Sequence, residues 1–153
     1  MMKKKIKKIC DELLEHLFIF DAEVGLRETE GLYEIRFDCQ EPGILIGKNG
    51  ETMRALELIL RLLVSKKIGE PMNLLLDIAG YKEKRKQEIE EMGMRAAESA
   101  RHSGRAQLLA PMNAYERRVA HLILADQDDI ETESIGEEPN RRVMIRVKKK
   151  ELI

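Results

Sequence analysis

Gly47, Lys48, Asn49 and Gly50 stand together in GILIGKNGETMRAL, residues 43–56, between a short apolar run and an amphipathic pattern. Glycine is poor inside helices and useful where the backbone must turn left-handed or let another group approach closely. Two glycines around a lysine and an asparagine, just where a helix begins, therefore point to an anion contacted by the main chain. The amino end of that helix is electropositive, and Lys48 adds a mobile charge. Ile44, Leu45 and Ile46 offer an apolar wall for a base, and Arg54 joins the same basic group. A second pair lies in ERRVAH, where Arg117 and His121 are four residues apart and share one helix face. An exposed arginine fork and a histidine one turn on can hold a single phosphate, more tightly once the ring is protonated. Arg118 and the pair Arg141 and Arg142 extend this second patch.

Other chemistries fit poorly. A P-loop, G-x-x-x-x-G-K-[ST], needs four residues between its glycines and a hydroxyl after its lysine. Here three residues separate Gly43 from Gly47, and Asn49 stands in the hydroxyl's place. A dinucleotide fingerprint lacks its first glycine. The acids of DQDDIETESIGEE, residues 126–138, have no EF-hand spacing, and Cys10 and Cys39 have no zinc spacing. Both cysteines read as free buried thiols, and His16 and His102 have no evident partner. No nucleophile–base pair is legible, so no catalytic residue, metal or cofactor is expected.

The net charge is −1, from 27 basic and 28 acidic residues. Twelve basic and fourteen acidic residues precede residue 80, and fifteen and fourteen follow. Any polyanion site is thus a local patch on a neutral body. With 43% hydrophobic and 36% charged residues the chain reads as folded and soluble. No apolar run approaches the roughly 18 residues of a membrane span. The start, MMKKKIKKICDELLEHL, lacks the apolar core of a signal peptide, so a cytoplasmic protein without membrane insertion is expected. Three tyrosines, three phenylalanines and no tryptophan argue against extensive stacking of bases on aromatics.

These residues need elements to hold them. Ile6, Ile9, Cys10, Leu13, Leu14 and Leu17 predict a helix over 3–17. Val24 and Leu26, then Tyr33, Ile35 and Phe37, alternate around Glu30-Gly31 and predict a hairpin. After one helical turn at 43–46, a helix from Glu51 to Lys67 follows, with Met53, Leu56, Leu60 and Leu63 inward. Leu58, Ile59 and Leu62 widen its apolar arc, which predicts burial on two sides. MNLLLDIA reads as a buried strand. The second half predicts a long helix from Tyr81 to Gly104, a short strand at RAQLL and a helix over PMNAYERRVAHLILAD. Asn113 and Glu116 suggest a capping box at its start. A hairpin over 130–135 and 141–147 closes the chain, with Val143, Ile145 and Val147 on one side. The order α-β-β-α-β, then α-β-α-β-β, predicts an α+β protein of two small tandem domains, 1–79 and 80–153.

A helix–GxxG–helix arrangement resembles the KH domain, whose loop clamps the backbone of about four nucleotides. GILIGKNGETMRAL, PMNAYERRVAH and GEEPNRR together, in this order and spacing, resemble the bacterial Jag family over nearly the whole chain. That family joins a type II KH domain to a domain named for its R-x-x-x-H motif. The resemblance implies a non-enzymatic binder of single-stranded RNA linked to cell-wall synthesis and elongation. Single-stranded DNA is an alternative ligand. It also implies pairing, as a homodimer or with a small single-KH protein. On this resemblance Gly47, Lys48, Asn49 and Gly50 carry one phosphate contact, and Arg117 and His121 the other. Many members begin with a further amino-terminal domain and a charged linker. Neither is read in these 153 residues, and roles tied to them are not carried over.

Overall fold

The computed structural model describes residues 1–150, which divide into two units after Lys82. In the first, helix α1 (Met2–His16) buries Ile6, Ile9, Cys10 and Leu14. Strands β1 (Glu23–Thr29) and β2 (Leu32–Asp38) form an antiparallel hairpin. The short helix α2 (Pro42–Ile46), the GKNG turn and helix α3 (Glu51–Ile68) follow, before strand β3 (Asn73–Ile78). β3 runs parallel to β2, giving the order β1-β2-β3. Alternation puts Tyr33, Ile35 and Phe37 of β2, and Leu74, Leu76 and Ile78 of β3, into one core with the buried residues of α1 and α3.

An edge strand offers unpaired backbone groups, and α3 supplies side chains for those of β3. The Leu76 amide donates to Glu57 Oε2 at 2.9 Å, and Arg61 donates to the Leu74 carbonyl at 3.2 Å. The core stripe of α3 is Met53, Leu56, Leu60 and Val64. Val64, not Leu63, ends it, because a step of four from Leu60 stays on the buried face of a 3.6-residue helix and a step of three begins to leave it. The helix is buried on one side only. Leu58, Ile59 and Leu62 are 54%, 43% and 63% exposed, since the sheet and α1 occupy the opposite face.

The second unit carries α4 (Tyr81–Ser103, whose first residues belong to the first unit), β4 (Gln107–Leu108), α5 (Ala114–Leu124), β5 (Ile130–Ile135) and β6 (Arg142–Val147). Its sheet is antiparallel, in the order β4-β6-β5. Ile89 and Ala97 of α4, Val119, Ala120 and Leu124 of α5, and Val143 and Ile145 of β6 meet in its core. Val147 lies at the strand end and is partly exposed. The expected capping box is present. Asn113 Oδ1 accepts from the Glu116 amide at 3.0 Å, and Glu116 Oε2 accepts from the Asn113 amide at 3.3 Å.

The two faces of α3 separate in a stability measurement. Leu60→Ala is expected to cost about 2–5 kcal/mol by urea denaturation, as a cavity in a closed core does. Leu62→Ala on the open arc is expected to cost about 0.5 kcal/mol or less. Equal losses would mean that the arc is covered in solution.

Candidate nucleic-acid interface

The backbone of the GKNG turn explains its glycines. Gly47 ends α2 by donating to the Gly43 carbonyl at 2.9 Å, then takes φ 70° and ψ −176°, a region open essentially to glycine alone. A Cβ there would also collide with Thr52 Oγ1, at the start of α3. Gly50 has φ 77°, and a Cβ on it would lie 2.8 Å from Tyr81 Cε1. Between them Asn49 is left-handed at φ 52°, where asparagine is among the best tolerated of the other residues. Arg54 reaches back from α3 and donates to the Asn49 carbonyl at 3.0 Å. Three residues with positive φ and one arginine brace thus hold the loop.

Lys48 is exposed, whereas Asn49 is half-buried by its place inside the turn. The apolar wall is smaller than the sequence suggests. Ile44 is 63% exposed and Ile46 half-buried, but Leu45 belongs to the core.

The second patch is arranged differently from its sequence reading. Arg117 is 8% exposed, not a free surface arginine. Its Nη1 donates to the Met112 carbonyl and to Glu138 Oε1, each at 2.7 Å. The helix turns Arg117 towards the chain that leads into α5, where a buried guanidinium needs acceptors. His121 is half-buried against β5, with Nδ1 2.7 Å from Thr132 Oγ1 and Nε2 2.8 Å from Ser134 Oγ. A neutral ring satisfies both hydroxyls, donating to one and accepting from the other. Burial, and then the nearby Arg117 charge, hold the His121 pKa below its ordinary 6.5.

Arg118 does not join this pair. It is exposed and lines a groove between α4 and α5. Arg141 and Arg142 donate to the Gly136 and Asn140 carbonyls, bracing the turn that carries Glu138. Several acids of residues 126–138 find cations. Asp129 pairs with Arg101, Glu131 with Arg146 and Glu138 with Arg117. Glu138, Thr132 and Ser134 are not legible as site residues in the sequence, because nothing local ties a turn or a strand to a helix face.

The first unit, in the order α-β-β-α-α-β with a glycine loop between its second and third helices, is a type II KH domain. The second matches the R-x-x-x-H domain over residues 87–147, and the first matches the KH domain of KhpA/KhpB over residues 3–76. The molecule is thus a tandem protein of a KH domain and an R-x-x-x-H domain. Its relatives include the RNA-binding protein KhpB of Clostridium symbiosum, 34% identical over 152 residues, 96% of this chain and 68% of that one. KhpB of Lactiplantibacillus plantarum is 28% identical over 94% of this chain and 45% of its own length. For Bacillus subtilis KhpB the figures are 28%, 84% and 62%. The chain belongs to the KhpB family, the Jag proteins.

His121 provides a test of the second patch. A depressed histidine pKa favours the fold while the ring is neutral. Its contribution is complete above about pH 6.5, the unfolded value, and is lost as the pH falls through the folded one. An NMR titration is expected to place the His121 midpoint below that of an unfolded histidine. His121→Gln is expected to flatten the acid limb of stability against pH. A midpoint at or above 6.5 would contradict the ring's placement.

Proposed function

We infer that this chain binds single-stranded RNA in the cytoplasm, gripping its phosphate backbone with residues 47–50. The observation that carries this reading is the GKNG loop itself. Its backbone is fixed by glycine conformations and by Arg54, yet the side-chain ammonium of Lys48 at its tip has no hydrogen bond or ion pair among the described residues. A rigid loop presenting an uncommitted cation suits a phosphate. The matches to the KH and R-x-x-x-H domains, and the KhpB relatives named for RNA binding, support the same reading. Phosphate contacts do not distinguish RNA from DNA, so matched RNA and DNA oligonucleotides decide between the two polymers. The resemblance to Jag proteins extends the reading to a non-enzymatic regulator of cell-wall synthesis and elongation.

Arg117 and His121 form the second contact in this reading, with one condition. Glu138 already occupies the guanidinium, so a phosphate takes its place rather than an empty site. A second reading, pairing with another KH chain, is favoured by the exposed apolar arc of α3. Analytical ultracentrifugation without RNA tests it.

Two substitutions probe the contacts. Lys48→Asp with Asn49→Asp is expected to abolish or strongly weaken RNA binding while circular dichroism stays unchanged, since neither side chain belongs to the core. Folded protein with wild-type affinity would remove the loop from the interface. Glu138→Gln is expected to tighten binding about two- to fivefold, the scale of a partly exposed ion pair. Unchanged affinity would leave Arg117 a purely structural residue.

A further inference from the structure

The groove between α4 and α5 encloses about 440 Å³, towards the lower end of volumes that hold small ligands. Lys86, Tyr115, Arg118, Val119, Leu122 and Ile123 line it. Two cations and no carboxylate stand on this wall, although the whole chain is almost neutral. Most arginines of this unit are matched internally: Arg85 with Glu116, Arg95 with Glu91, Arg101 with Asp129, Arg117 with Glu138 and Arg146 with Glu131. Lys86 and Arg118 are exposed, and neither has an ion pair among the described residues. Their charge faces solvent along the groove.

The apolar part of the groove is equally open. Tyr115 is 71% exposed and Leu122 is 62% exposed. With Arg118 they follow the spacing i, i+3, i+7, which lines them up along the solvent face of α5. A phenol ring beside a cation, with leucine below, offers a flat apolar surface and a charge within one nucleotide's reach. Stacking on such a ring suits any base, because every base has a π-face. An acidic peptide would satisfy the cations but has no use for the ring.

We propose that this groove is a subsite for one nucleotide of single-stranded RNA, its base stacked on Tyr115 and its flanking phosphates on Lys86 and Arg118. The subsite rests on the RNA-binding reading but uses none of the residues assigned there. It lies on the flank of α5 away from the contacts of His121 with β5, so it is a separate foothold for the strand.

The test uses the full chain and a labelled, unstructured RNA oligonucleotide followed by fluorescence anisotropy. Tyr115→Leu keeps the helix and an apolar side chain but removes the ring. It is expected to weaken binding about five- to hundredfold, the range of one lost base stack. Lys86→Gln with Arg118→Gln is expected to weaken binding and to make the salt slope shallower by about 1.4, for two single-strand contacts. An oligonucleotide with abasic sites is expected to bind wild type more weakly than the intact strand, and Tyr115→Leu with a smaller penalty. Equal abasic penalties in both proteins would make the groove a surface for phosphate or acidic peptide and overturn the stacking assignment. Wild-type affinity in Tyr115→Leu would overturn the subsite and leave the loop reading standing. Loss in Tyr115→Leu beside full binding in the Lys48/Asn49 variant would sink the loop reading and keep the subsite. Absence of binding by the wild-type chain would overturn both.

Discussion

The buried carboxylate of Glu116 sets the surface of the second unit. It is 3% exposed, accepts from Arg85 Nε at 2.8 Å on α4, and closes the capping box with Asn113. A carboxylate at that depth is tolerable only with such partners, so the first turn of α5 has one favourable seat against α4. The rotation of the helix about its own axis follows. Arg117, the next residue, meets Met112 and Glu138. His121 falls over Thr132 and Ser134, and Tyr115, Arg118 and Leu122 are left facing solvent. One buried ion pair therefore decides which side chains of a single helix are structural and which are available.

Charge acts in this protein through its distribution rather than its total. A net −1 would suggest indifference to a polyanion, but many of the acids are engaged with cations in hydrogen-bonded pairs such as Arg101 with Asp129 and Arg146 with Glu131. Those pairs contribute little field beyond their neighbours. What remains outside them includes Lys48 at the tip of a rigid loop and Lys86 with Arg118 along a groove. Local positive potential on a neutral body attracts a strand at a few points, without the non-specific adhesion of a uniformly basic surface.

Periodicity carries much of the architecture. Four of the six inward residues read for α1, the β1–β2 hairpin, the GKNG turn and the capping box at Asn113 are legible, because each is encoded within a few neighbouring positions, whereas Leu17 falls past the helix end and is exposed. Faces of helices are harder. The apolar residues of α3 suggest two buried sides, yet Leu58, Ile59 and Leu62 face solvent, since sequence reports that a residue is apolar and not what covers it. Arg117 misleads for the complementary reason. An arginine between polar neighbours looks exposed, and only the tertiary fold brings Met112 O and Glu138 to it. Arg118, one residue on, is the exposed one. The spacing of Tyr115, Arg118 and Leu122 is visible in the chain, but Lys86 comes from another helix and joins them only in space.

For the proposed second RNA contact, the turn that places Glu138 on Arg117 would also act as a filter. A carboxylate tethered beside its guanidinium competes at the effective concentration of an intramolecular partner, millimolar for a short link. A free mononucleotide or inorganic phosphate arriving at micromolar levels loses that contest. A phosphate belonging to a strand already held elsewhere on the chain arrives as a tethered competitor and meets the carboxylate on equal terms. A guanidinium so guarded would favour phosphates of a bound strand over free phosphates of lower concentration, although its chemistry is the same towards both.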